Sequence, residues 1–126
     1  MNYQLHDYAM DSVILDNDKI IFSFPNGFYV TDDNGVKLTP VRKKLVFKVD
    51  GDDPEQCLFI RRRGILGWRD ISFKEFSGLF KKGNMLVYDE YDSKLTNWKM
   101  IQLNANTRWS NIEMFITEIE AVECME

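Results

Sequence analysis

A chain of 126 residues with 44% apolar side chains, seventeen aromatics (nine Phe, five Tyr, three Trp) and a formal charge of −4 has the material for one core. That balance excludes a disordered chain, which combines low hydrophobicity with high net charge. No stretch reaches the roughly 18 consecutive apolar residues of a membrane span, so a single domain over 1–126 is expected, with no membrane among its partners.

The start, MNYQLHDYAMDSV, has no basic stretch leading into an apolar one. A secretory leader is therefore not expected, and the default compartment is the cytoplasm. Cys57 and Cys124 agree, being too few and too far apart for a disulfide framework, and they read as two free thiols.

From the N-terminus onward, turn signals alternate with short strand-like runs. Asp16-Asn17-Asp18, Pro25-Asn26-Gly27, Asp32-Asp33-Asn34-Gly35 and Asp50-Gly51-Asp52-Asp53-Pro54 punctuate the first half of the chain. Between them, residues 9–15, 19–24 and 28–31 alternate apolar with polar side chains, the pattern of an antiparallel meander. Pro40, which has no N–H for a ladder, suggests an edge or a loop there. The run 44–50 places Leu45, Phe47 and Val49 on one face, as in a half-buried strand, and 57–63 continues with Leu58 and Ile60.

The rhythm then breaks. Ser72-Phe73-Lys74-Glu75 matches a capping box, and Phe73, Phe76 and Phe80 share one helical face with Leu79 beside them. Lys81 and Lys82 suit the negative end of a helix and Gly83 suits its stop, so one short helix is expected over 73–82. Strands resume at 85–91 and 95–103, joined by Asp92-Ser93. A last run over 112–122 changes parity between Ile116 and Ile119, which suggests a bulge. The fold class is therefore β-rich (α+β): an antiparallel meander, sandwich or partly open barrel of seven or eight strands with one helix.

Chemistry is harder to find than architecture. His6 is the sole histidine, and although Asp7 adjoins it, no serine or cysteine lies in a nucleophile motif. One histidine and two separated cysteines do not make a zinc site, and the Asp-rich loops lack EF-hand spacing, so no metal and no cofactor is expected. The Gly64-Ile65-Leu66-Gly67 stretch lacks the Lys-Ser/Thr that completes a phosphate loop.

Charge is blocked along the chain. Residues 61–82 carry seven basic side chains against Asp70 and Glu75, whereas the last sixteen residues carry five Glu and no base. Arg61, Arg62, Arg63, Trp68 and Arg69 form a basic, aromatic cluster that could track a phosphate backbone. The negative total argues against nucleic acid, and pairing of this strand with an acidic one such as 118–120 would account for the arginines. Acidic residues in turns form the other surface. Asp32, Asp33, Asp52 and Asp53 lie in loops, and Asp89, Glu90 and Asp92 lie beside Tyr88 and Tyr91. Carboxylates rimmed by aromatics can steer and anchor a basic partner.

Leu5-His6-Asp7, followed by Val13-Ile14-Leu15, Asp16-Asn17-Asp18, Ile20-Ile21-Phe22-Ser23-Phe24 and Gly27-Phe28-Tyr29, resembles the opening of a group of small bacterial β proteins. Some of these are assigned as immunity proteins of polymorphic toxin systems. The resemblance covers about the first 30 residues and carries over no catalytic residue. It implies a cytosolic protein that binds and blocks a toxin domain. With the acidic turns it gives the expected function: a non-enzymatic inhibitor that covers a basic protein partner. The alternatives are a small-ligand module with a pocket between the sheet and the Phe helix, an enzyme built on His6, and pairing of two copies through an edge strand.

Overall fold

Alternating apolar and polar side chains produce strands throughout residues 2, 3, 5, 7–92 and 100–126, which are the residues described by the computed structural model. In chain order the first are β1 (Asn2–Tyr3), β2 (Tyr8–Met10), β3 (Ser12–Asp16), β4 (Lys19–Thr31) and β5 (Lys37–Val49). A 3₁₀ turn at Pro54–Cys57 leads into β6 (Leu58–Gly64) and β7 (Gly67–Ile71). The helix α1 (Phe73–Leu79) comes next, followed by β8 (Met85–Asp92), β9 (Ile101–Asn106), β10 (Asn111–Ile116) and β11 (Ile119–Met125).

All pairings are antiparallel and make two sheets, one in the order β1-β4-β5-β11 with β3 also on β4, the other in the order β2-β8-β9-β10-β6-β7. The architecture is sandwich-like, with no closed barrel among the described residues. Phe22, Phe47 and Val13 from the first sheet share one core with Ile60, Leu103, Ile112 and Met114 from the second. Phe22 and Phe47 meet edge to face at 5.6 Å, the arrangement their ring quadrupoles favour.

The described residues form eleven strands in place of the expected seven or eight: two predicted runs change sheets partway, β1 and β7 lie outside the predicted runs, and 19–24 and 28–31 join in β4. Residues 9–15 divide at Asp11, so that β2 pairs with β8 and β3 with β4. The 112–122 run divides at Thr117-Glu118 rather than bulging through. Glu118 takes a positive φ of 55°, and the chain crosses from the β10 ladder to the β5 ladder. Conversely, Pro25-Asn26-Gly27 is not a hairpin turn. Strand β4 runs through it, five steps from Ser23 to Phe28 opposing two on β5 from Lys44 to Arg42. Gly27 makes this bulge possible: its φ is +78°, and a Cβ there would stand 2.7 Å from Val41 Cγ2. Pro40 lies within β5, beyond the last β11 pairing at Met125–Lys44, where the strand has a free edge.

The helix forms over the expected residues, with its last turn, Phe80–Lys82, tightened to 3₁₀. Ser72 Oγ accepts the Glu75 N–H at 3.1 Å, as a capping box requires. The reciprocal half is not made, because the Glu75 carboxylate turns to arginines instead. Phe76 is fully buried, with Phe73 and Phe80 rings at 6.2 and 5.3 Å, so the stripe pins a helix too short to stand alone. Of the expected 95–103 run, Ile101–Leu103 lie in strand β9 and Met100 does not; the Ser93 turn and residues 95–99 lie outside the described residues, as does His6.

Candidate functional site

Register sends charges of opposite sign to opposite ends of the sandwich. At one end stand the β3–β4 turn with Asp16 and Asp18, the β5–β6 loop with Asp50, Asp52, Asp53 and Glu55, and the β10–β11 turn with Glu118. Backbone bonds tie these loops together. Val49 N–H donates to the Asp18 carbonyl at 2.8 Å, and Asp50 N–H donates to the Glu118 carbonyl at 2.9 Å. Lys48 lies among them, 3.9 Å from Asp18 and 3.8 Å from Glu120. Strand β8 runs toward the same end, since Asp92 pairs with Ile101, and Ile101 with Ile116 just before the turn.

The acidic residues singled out from the sequence are thus only partly united. Asp52 and Asp53 belong to this acidic pole, and Asp53 Oδ1 also accepts Glu55 N–H to cap the 3₁₀ turn. Asp32 and Asp33 sit at the far tip of the β4–β5 hairpin, about 40 Å along the strand at roughly 3.3 Å per residue. There Asp32 Oδ1 accepts N–H groups of Asn34 and Val36, both at 2.9 Å, which is turn chemistry. Asp89, Glu90, Tyr91 and Asp92 are placed by backbone register alone, their side chains lying outside what is described; Tyr88 is half-buried at the β8 bulge. Among the described residues, no three His, Cys, Asp or Glu side chains are grouped to hold a metal.

The opposite end carries the arginines. Strand β6 rises from the acidic pole to a hairpin whose corner pair is Gly64–Gly67, six strand steps and about 20 Å away. The predicted pairing of this strand with 118–120 does not occur, because β11 lies in the other sheet. Arg61 instead meets Glu113 at 3.6 Å and Asp70 at 3.9 Å on the outer face, with its guanidinium 5.6 Å from the Trp68 ring. Arg62 and Arg69, opposite each other in register, face the helix and share Glu75. Arg69 binds it with two contacts of 2.6 and 3.2 Å, and Arg62 adds one at 3.4 Å. The hydrogen bond from Arg69 above all holds the Glu75 carboxyl below its ordinary range.

A turn that the sequence reading passed over completes this pole. Thr107 N–H donates to the Ser110 carbonyl at 2.8 Å, while Thr107 Oγ1 accepts from Trp109 N–H and Ser110 N–H. Arg62 Nε donates to Ser110 Oγ at 2.9 Å, which locks the turn to β6. So held, Trp109 is 73% exposed, with the Arg108 guanidinium 4.9 Å from its ring. An open groove of about 700 Å³ lies between this turn and the hairpin, its walls including Arg62, Arg63, Arg69, Arg108, Ile65 and Trp109. A smaller hollow of about 150 Å³ adjoins it, toward Lys82 and Asn84. The signal for this turn was the Arg108-Trp109 pair within a short polar stretch, where an aromatic has no core to enter.

The space between helix and sheet, considered as a ligand pocket, holds the buried side chains of Phe76 and Leu79. Cys57 and Cys124 are both free, and burial raises the pKa of each thiol. No protein-family model matches the chain, and neither the curated proteins nor the solved structures contain a match to it.

Proposed function

We propose that the chain is a protein-binding module of the immunity type, which covers a basic partner with its acidic pole. The observation that carries this reading is the convergence of three loops, drawn from both sheets, that put Asp16, Asp18, Asp50, Asp52, Asp53, Glu55 and Glu118 at one end. Carboxylates presented from a cross-braced rim raise the encounter rate with a cationic surface and suppress wrong partners. Enzymes that grip nucleic acid present such cationic surfaces, because they must neutralise phosphates. The role needs no reacting group in this chain, only a rigid surface of the right sign.

The test is capture of the partner from the native host on immobilised protein, with identification by mass spectrometry. A basic protein is expected, held about tenfold less tightly by the triple variant Asp16→Asn, Asp52→Asn, Glu55→Gln and released by about 0.5 M salt. These side chains are exposed, so the variant keeps the fold. A partner retained equally by the variant and at high salt would refute the acidic-pole reading.

A further inference from the structure

Ile65 and Leu66 form the two-residue tip of the β6–β7 hairpin, and both are fully exposed, at 103% and 102%. No other described residue shelters either side chain. Trp109 shares the groove with Ile65, so three large apolar groups lie together at one end of the molecule. Cations surround them. Arg62, Arg63, Arg69, Arg108 and Lys82 line the groove and its adjoining hollow, and Glu75 neutralises one charge, leaving five minus one, or +4.

We infer that this pole docks on the surface of an anionic lipid bilayer. The Ile65-Leu66 tip and Trp109 enter the headgroup–acyl boundary while the arginines meet lipid phosphates. The placement of the apolar groups decides the class of partner. Ile65 and Leu66 protrude fully exposed at a hairpin tip with basic side chains beside them, and these aliphatic groups offer no ring on which a nucleobase could stack. A bilayer is charged at its surface and apolar a few ångströms below, the order in which this tip presents its own groups. Trp and Arg are side chains that settle at that boundary, their apolar bodies inward and polar ends in water. Charge separation fixes the orientation, because the acidic pole, repelled by anionic lipid, points away into solvent. Such docking uses no spanning segment, and no helix among the described residues is long and apolar enough to cross a membrane.

Co-sedimentation with vesicles tests this on the intact chain. Binding is expected to vesicles of phosphatidylcholine with about a third phosphatidylserine, and not to phosphatidylcholine alone. Ile65→Ser with Leu66→Ser should lower the partition coefficient about tenfold or more. Arg63→Gln and Arg108→Gln should each lower it about fivefold. The tip side chains touch nothing, so their thermal unfolding should match the parent's, separating lost docking from lost folding. The inference is overturned if both vesicle types pellet the protein equally, if neither does, or if the serine variant binds as well as the parent. A single-stranded oligonucleotide that displaces the vesicles and binds the serine variant undiminished would also overturn it, making the pole a nucleic-acid surface.

Discussion

Replacing Gly27 by alanine should be among the most damaging single-methyl additions in this chain, and its cost divides into two parts. The backbone part arises because φ at 27 is +78°, a conformation that costs an L-residue about 1–2 kcal/mol. The packing part arises because the new Cβ would lie 2.7 Å from Val41 Cγ2, 3.2 Å from Val41 Cβ and 3.1 Å from the Arg42 carbonyl oxygen. Carbon pairs prefer about 3.5–4.0 Å, and overpacking of this kind costs about 1–3 kcal/mol. The sum is about 2–5 kcal/mol, a large fraction of the stability of an ordinary domain. Gly51 supplies the control. Its φ is +100° with nothing within 4 Å, so Gly51→Ala should show the backbone part alone. In a double-mutant cycle, Val41→Ala removes the closest contact, that to Cγ2, and leaves those to Cβ and to the Arg42 carbonyl, so a favourable coupling of about 1 kcal/mol is expected. Urea unfolding followed by circular dichroism measures all five proteins, with an unchanged slope confirming that only stability moved. If Gly27→Ala costs no more than Gly51→Ala, or if the cycle adds to within about 0.5 kcal/mol, the bulge is not the constrained joint described.

Two further outcomes concern ionisable groups. Glu75 has its native pKa lowered by Arg69 and Arg62, so its contribution is complete above the unfolded value near about 4.3 and fades as pH falls through the lower native value. Urea midpoints measured across acid pH should therefore fall less steeply for Glu75→Gln than for the parent, and parallel curves would contradict the triad. Burial raises the thiol pKa of Cys57 foremost through desolvation, and that of Cys124 likewise. A thiol-reactive dye at mild alkaline pH should label the native protein slowly and reach two thiols per chain on unfolding. Prompt native labelling of Cys57 would show that its side chain is not enclosed.

Local rules carried most of the architecture. The N-cap at Ser72, the Phe73–Phe76–Phe80 stripe and the Leu45–Phe47–Val49 alternation are each written within a few residues, and each formed where its pattern lay. What local pattern could not show is which ladder a strand joins. Residues on either side of Asp11 and of Thr117-Glu118 alternate as one strand would, yet pair in different sheets, because pairing depends on partners distant in sequence. Pro25-Asn26-Gly27 has the composition of a turn, but a strand persists through it once β5 supplies a ladder on which a glycine bulge fits.

The candidate surfaces divide the same way. That acidic residues would occupy turns, and that 61–69 would be basic and aromatic, follows from composition and from where Asp, Asn and Gly favour turning the chain. That Asp16 and Asp52 share a pole while Asp32 does not, and that Arg108 and Trp109 join Arg62 and Ile65 across a groove, follows from strand register. Register is a long-range property, settled by packing one core between two sheets, and no local stretch of sequence encodes it.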